Sequence, residues 1–154
     1  MIAVVQRVTE ASVHVEATGH HAAIGPGLCV LLCVETGDSA AAEADWMAGK
    51  LARLRIFRDE QDRMNRSVQE MRGEILLISQ FTLAGDCAKG NRPSFIHAAP
   101  PEDAARLCDE VARRLRDEHG VPVKCGEFGA MMAVRLVNDG PVTIILTKGE
   151  RHAT

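Results

Sequence analysis

Aromatic residues are scarce in this chain. Four Phe, one Trp and no Tyr make up 3% of its 154 residues. A platform that stacks single-stranded bases needs several exposed rings, so that kind of nucleic-acid binder is disfavoured. A positive net charge is missing too: 18 Lys and Arg face 21 Asp and Glu, a balance of −3. No global field draws in RNA or DNA, and any such contact requires basic residues gathered on one face. No apolar stretch reaches membrane-spanning length, so no membrane partner is expected. The five cysteines are odd in number and contain no Cys-x-x-Cys, which leaves out a disulfide framework and a zinc ribbon. Cys29 and Cys33 lie in an apolar run and Cys108 falls on a helix face, the pattern of buried thiols in a reducing compartment. The opening "MIAVVQRVTEA" brings Arg7 and Glu10 too early for the apolar region of a secretory leader. The expectation is a cytoplasmic protein.

The familiar catalytic motifs are absent as well. There is no Gly-x-Ser-x-Gly elbow, no phosphate-binding Gly-x-x-x-x-Gly-Lys-Ser/Thr and no Gly-x-Gly-x-x-Gly after a strand. Elbow-type serine hydrolases, P-loop enzymes and dinucleotide enzymes lose ground accordingly, and no cofactor is expected. Six histidines stand at His14, His20, His21, His97, His119 and His152. His20 and His21 read as a loop and lack the spacing or flanking carboxylates of a metal site, so no metal is expected. His97 follows "RPSF" and reads first as a solvated loop end, with a general base near a pocket as the alternative. "KCGEFGAMMAV" lacks the further aromatics of an RNA-recognition strand and reads as strand and turn.

What is present is an ordinary globular composition, 46% apolar and 25% charged, of single-domain length, with residues 1–154 read as one unit. Alternation in "MIAVVQRVTEASVHVEA" predicts two strands, and the near-continuous apolar run Leu28 to Val34 predicts a strand buried on both faces. Thr36, Asp38 and Ser39 offer N-cap oxygens to a first helix whose stripe is Ala44, Met47, Leu51 and Leu54. "RDEQDRMNRSVQEMRG" reads as a polar hairpin-like excursion, followed by a buried strand from Ile75 to Ile78. "AGDCAKGNRPSF" is a functional-length loop. A second helix begins at Pro101, carries the stripe Ala104, Leu107, Cys108, Val111 and Leu115, and stops at Gly120. "AMMAVRLVN" and "VTIILT" read as two strands joined at "NDGP". The predicted class is mixed α/β: largely antiparallel sheets forming a barrel-like core, with two main helices.

Two stretches stand out chemically. "SQFTL", Ser79 to Leu83, lies where a buried strand turns polar and releases backbone groups. It reads either as a plain strand exit or as a pocket rim whose N–H groups hold an oxyanion. Thr82 is a hydroxyl nucleophile candidate with no base beside it in sequence. "NDGPVT", Asn138 to Thr143, reads locally as a hairpin turn, since Asn/Asp-Gly is a strong hairpin signal. Its Pro141, entering a strand without an N–H, is the odd member.

Taken together, "AVVQRV", "RMNRSV", "SQFTL", "KGNRPSF" and "LVNDGPVTIIL" resemble, in order and over nearly the whole chain, the D-aminoacyl-tRNA deacylases of the widespread bacterial and eukaryotic type. Met131 stands where relatives often have an acidic residue, Cys33 replaces a common glycine, and Ile2 a common basic residue. The resemblance implies hydrolysis of the ester joining a D-amino acid to the terminal adenosine of tRNA. It also implies a homodimer in which each Gly140-Pro141 peptide is cis and enters the partner's pocket. Ser79, Gln80, Phe81 and Thr82 are then the expected catalytic residues. Gly140, Pro141, Met132 and Asn138 are the expected substrate-binding and chirality-selecting ones. Lys89 and Arg92 would meet terminal phosphates, and Arg113, Arg114 and Arg116 on the second helix would carry the stem or, as charge on an exposed helix face usually does, only meet solvent. No DNA partner is implied. Glycyl-tRNA, lacking a side chain, would also be cleaved. The alternatives are a non-catalytic RNA- or metabolite-binding homologue, a small hydrolase or deaminase of free metabolites, and a structural interaction domain.

Overall fold

In the computed structural model, which describes residues 1–148, the first strand is the spine of the molecule. β1 runs unbroken from Ile2 to Val15, where two strands are predicted. One edge pairs antiparallel with β3 (Gly27–Cys33) through Ile2–Val8 and with β2 (His20–Ile24) through Ala11–Val15. Its other edge pairs with β8 (Ala133–Thr147) along almost its whole length. His20 and His21 therefore sit in a strand, with His21 opposite His14, rather than in a loop.

β6 (Glu74–Ser79) adds parallel to β3, and β7 (Val123–Cys125) parallel to β6. Parallel neighbours need crossovers, and the two helices supply them. α1 (Asp45–Arg53) follows a short π-helical turn, Ala40–Ala44, and lies between β3 and β6 together with the small ribbon β4 (Phe57–Arg58) and β5 (Met64–Arg66). α2 (Pro101–Asp117) connects β6 to β7. Ser39 caps the entry to α1: its hydroxyl accepts from the Ala42 N–H at 3.2 Å, while Glu43 reaches back to the Ser39 N–H at 2.8 Å.

Strand alternation divides the core. Leu28, Val30, Leu32, Ile75 and Leu77 point to the helices, meeting Met47, Leu51, Leu107, Val111 and Leu115. Cys29, Leu76 and Ile78 point the other way, onto Val8, Val13 and Ile24. Burial on both faces is why β3 and β6 read as unbroken apolar runs. The result is a mixed α/β fold with two helices and a nearly closed, barrel-like sheet. Among the described residues no helix is long and apolar enough to cross a membrane.

The segment "NDGPVT" corrects the predicted hairpin. Both halves of β8 pair with β1 in the same sense, so the chain does not reverse at Gly140. Val8 faces Asn138 and Gln6 faces Thr143, which leaves Arg7 alone opposite Asp139–Val142. The motif is a wide bulge thrown out of one long strand. A turn sequence reverses the chain only if its flanks pair with each other, and here the long β1 offers both flanks a better partner.

Candidate active site

β6 ends with Ser79. The Gln80 N–H makes one last bond, to the Leu32 carbonyl at 2.7 Å, and the backbone then turns (φ −148°, ψ 81°) into a single 3-10 turn, Phe81–Ala84. The first N–H groups of such a turn have no acceptor within it. Bonding inside the turn starts with Leu83, which donates to Gln80, and among the described residues no bond takes up the N–H groups of Phe81 or Thr82. Gln80 Nε2 donates to Thr82 Oγ1 at 2.6 Å, which holds that hydroxyl in place and leaves its own proton to be given elsewhere. The Phe81 ring, 56% exposed, meets Phe95 edge-on with centroids 5.1 Å apart.

Ser79, Gln80, Phe81 and Thr82 form the polar end of a cavity of about 590 Å³. Its walls are apolar: Leu32 and Ile78 from the sheet, Ala104 and Cys108 from α2, and Phe128 with Met132 from the segment before β8. Among the described residues no Asp, Glu, His, Lys or Arg lines it. His97 is not among its walls. Cys108 is the one ionisable lining residue, and burial pushes its thiol up to about 12, with Asp109 a lesser cause. It stays protonated at neutral pH and is no nucleophile. Cys108→Ser is accordingly expected to retain hydrolytic activity within about threefold, since only a non-reacting wall atom changes. A loss of several orders of magnitude in a steady-state assay, with folding intact, would refute this.

The expected selectivity residues are divided between two places. Met132 joins the cavity, its thioether lying where a side chain on Gly126 would otherwise stand. Asn138, Gly140 and Pro141 do not line it. They belong to the bulge, whose Gly140–Pro141 peptide is cis and exposed. Asn138 is consumed in shaping that bulge: its Oδ1 accepts from the Val142 N–H at 2.8 Å and its Nδ2 donates to Thr143 Oγ1 at 3.1 Å. Gly140 has φ +148°, and a Cβ there would lie 2.7 Å from Val142 Cγ2 and 2.8 Å from Val142 N.

Arg7 is the residue that sequence reasoning missed. It is 2% exposed, and its Nε donates to the Asp139 carbonyl at 2.9 Å while Nη1 donates to the Ile56 carbonyl at 2.6 Å. The Asp139 carboxylate completes the pairing at 3.2 Å. This one guanidinium ties the bulge to the chain just before β4. The available signal was an arginine at the alternate position that Ala3 and Val5 mark as the inward face.

Lys89 and Arg92 are exposed on a loop closed by mutual Asp86–Ser94 bonds, and Phe95 docks that loop on Phe81 at the cavity rim. The α2 arginines are taken up by acceptors of the protein itself. Arg113 pairs with Glu110, Asp117 and Glu118, and Arg114 with Glu110, Glu118 and Asp45. Hydrogen bonds from Arg113 and then Arg114 hold the Glu110 carboxyl down to about 2. Arg116 donates to the Val123 carbonyl. Helical spacing that gathers cations on α2 gathers their carboxylates too, so this face offers little free positive charge. Among the described residues no three His, Cys, Asp or Glu side chains come together as a metal site. His20 spends a ring nitrogen on the Cys125 carbonyl at 2.9 Å, and His152 lies outside the described residues.

Comparison with known proteins bears on the whole chain. The family described as D-Tyr-tRNA(Tyr) deacylase matches residues 4–147. A D-aminoacyl-tRNA deacylase of Geobacter sulfurreducens is 53% identical over 154 residues, covering 100% of this chain and 99% of its own. One from Paracidovorax citrulli is 55% identical over 148 residues, with coverage of 95% and 92%. Among solved structures, the c-Myc DNA Unwinding Element Binding Protein superposes with a TM-score of 0.89 at 42% identity, covering 97% of this chain and 100% of its own. A probable eukaryotic D-amino acid tRNA deacylase shares the fold, with a TM-score of 0.81 at 19% identity and coverage of 94% and 97%.

Proposed function

The chain belongs to the D-aminoacyl-tRNA deacylase family and is an ester hydrolase; from that premise we propose how it selects and cleaves its substrate. The observation that carries the reading is a cavity with no charged side chain and, at its polar end, two main-chain N–H groups without acceptors. An aminoacyl ester is already activated, so a positioned water and a prepared oxyanion site suffice to open it. The Phe81 and Thr82 N–H groups take the developing oxyanion. Ser79 and Gln80 position the ester, and Thr82 orients water or substrate rather than attacking. The ribose 2′-OH of the tRNA assists proton transfer where the cavity supplies no base. The leaving 3′-oxygen departs with the tRNA, and the amino acid leaves as its carboxylate.

The substrate's α-ammonium needs acceptors, and the cavity holds no carboxylate. Carbonyls at Gly140 and Pro141, inserted from a second subunit, meet that need. They grip a group common to every amino acid and leave one direction from Cα open for a D side chain, while an L side chain collides with backbone. Exclusion by collision works against every L residue at once. Glycyl-tRNA passes the same gate. The homodimer this requires has a surface to form on: Met131 is 92% exposed, Ile96 77%, Ile145 63% and Val137 49%. Large apolar side chains left in water mark an interface, and Met131 lines the cavity itself. Lys89 and Arg92 hold the terminal phosphates, and the cytoplasm, where tRNA is charged, is the place of action.

Single-turnover hydrolysis of D-Tyr-tRNA and L-Tyr-tRNA tests this directly. The D ester is expected to be cleaved at least about tenfold faster, the size of a modest steric discrimination. Equal rates would overturn the gate, absence of any cleavage would favour a purely binding homologue, and an acyl-enzyme trapped on Thr82 would overturn attack by water.

A further inference from the structure

A net charge of −3 obliges an RNA-binding protein to segregate its cations, and the α2 arginines are neutralised by their neighbours. Four cations without carboxylate partners among the described residues collect elsewhere, on one groove. A groove of about 530 Å³ along α1 is lined by Lys50, Arg53, Arg55 and Lys148, with Trp46 as its apolar wall. None of these cations pairs with a carboxylate among the described residues. Lys50 Nζ lies 5.6 Å from the Trp46 ring, and Arg55 is held by the Asn65 carbonyl at 2.9 Å. The one acid in the lining, Asp45, is already taken by Arg114 at 2.7 Å.

Gly49 gives an independent sign that the groove is built. A glycine inside a helix weakens it relative to alanine. Here the missing side chain has a use: a Cβ on Gly49 would stand 2.6 Å from Arg53 Nη2. The guanidinium lies down on the helix in the space the glycine leaves, inside the groove.

The groove also lies next to the bulge. Arg55 precedes Ile56, whose carbonyl accepts from Arg7, and Arg7 holds the Asp139 carbonyl beside Gly140. If Gly140–Pro141 enters the partner's cavity, as the proposed function has it, Arg55 approaches that cavity with it. We propose that the α1 groove binds the phosphate backbone of the tRNA acceptor stem, and that each subunit thereby holds the stem whose 3′ end is in the other subunit's site. The proposal rests on the deacylase reading for its ligand, and on charge complementarity for its place.

Binding of uncharged tRNA, followed through the fluorescence of Trp46, the single Trp of a chain without Tyr, tests the groove without catalysis. Lys50→Ala/Arg53→Ala/Lys148→Ala is expected to weaken tRNA binding at least about tenfold and to flatten the slope of log K against log salt by about two to three. With D-aminoacyl-tRNA the same variant raises KM, while hydrolysis of a 3′-D-aminoacyl-adenosine, which has no stem, keeps its wild-type kcat/KM. Gly49→Ala, a change that favours the helix, is expected to displace Arg53 and weaken tRNA binding as well. Wild-type affinity and salt slope in both variants would overturn the proposal, as would equal losses on the stemless ester. Should wild-type protein fail to cleave either ester, the deacylase reading falls, while the tRNA titration still decides the groove.

Discussion

Gly140→Ala is expected to lower D-aminoacyl-tRNA hydrolysis by at least about a hundredfold, the loss that follows when a positioning group shifts by about an ångström. The added Cβ has nowhere to go. At φ +148° an L side chain is strained, and its atom would fall 2.7 Å from Val142 Cγ2 and 2.8 Å from the Val142 nitrogen, which is held by Asn138. The bulge must move, and the carbonyls proposed to meet the ammonium move with it. The cavity, which Gly140 does not line, stays intact. That separation makes a complementation test possible. Thr82→Arg lays a long charged side chain across the polar end of the cavity and leaves the bulge untouched. Each variant alone is expected to be inactive. Co-expressed in equal amounts, half the dimers are mixed and each mixed dimer has one intact site, so about a quarter of wild-type activity returns. A mixture as inactive as its components would show that the bulge serves its own subunit or none.

Arg7→Met is expected to be the most destabilising conservative change in the site region, by about 3 kcal/mol, in the range found when one partner of a buried charged network is removed. The side chain has similar length but no donors, so the buried Ile56 carbonyl and the part-buried Asp139 carbonyl lose their partner. In a protein of this size that loss lowers Tm by roughly 6–12 °C. Arg7→Lys rescues little, because one ammonium cannot reach in two directions as a planar guanidinium does. Hydrolysis should fall in both variants even below the melting range, since the bulge loses its anchor. Thermal unfolding followed by circular dichroism checks the first part. A Tm within about 2 °C of wild type, a shift worth under 1 kcal/mol, would mean that water replaces the guanidinium and that the anchor is dispensable.

The Arg7 result turns on a contact between residues 132 positions apart, and this bounds what could be read beforehand. Local signals were reliable where local physics decides. Ser39, one of three N-cap candidates, capped the π-helical turn that leads into α1, Pro101 opened α2, and the apolar runs around Val30 and Leu77 became strands buried on both faces. "SQFTL" was recognisable as a strand exit because the change from apolar to polar residues occurs within it. The turn at Gly140 was misjudged because Asn-Asp-Gly looks the same whether its flanks pair with each other or with a third strand. The pairing of Arg113 and Arg114 could be read only in part, because their carboxylates are helix neighbours but also Asp45 on the distant α1.

The sequence by itself determined the family, the mixed α/β class and the residues at the polar end of the cavity, because motif order and apolar periodicity are properties of the chain. Tertiary structure alone decided three further matters. β1 pairs with β8 on both sides of Gly140, so the motif is a bulge; Arg7 is buried beneath it; and four cations without carboxylate partners among the described residues share one groove along α1. Each depends on which distant segments share an edge or a face, and that is chosen by the burial of the whole core rather than by any stretch of residues within it.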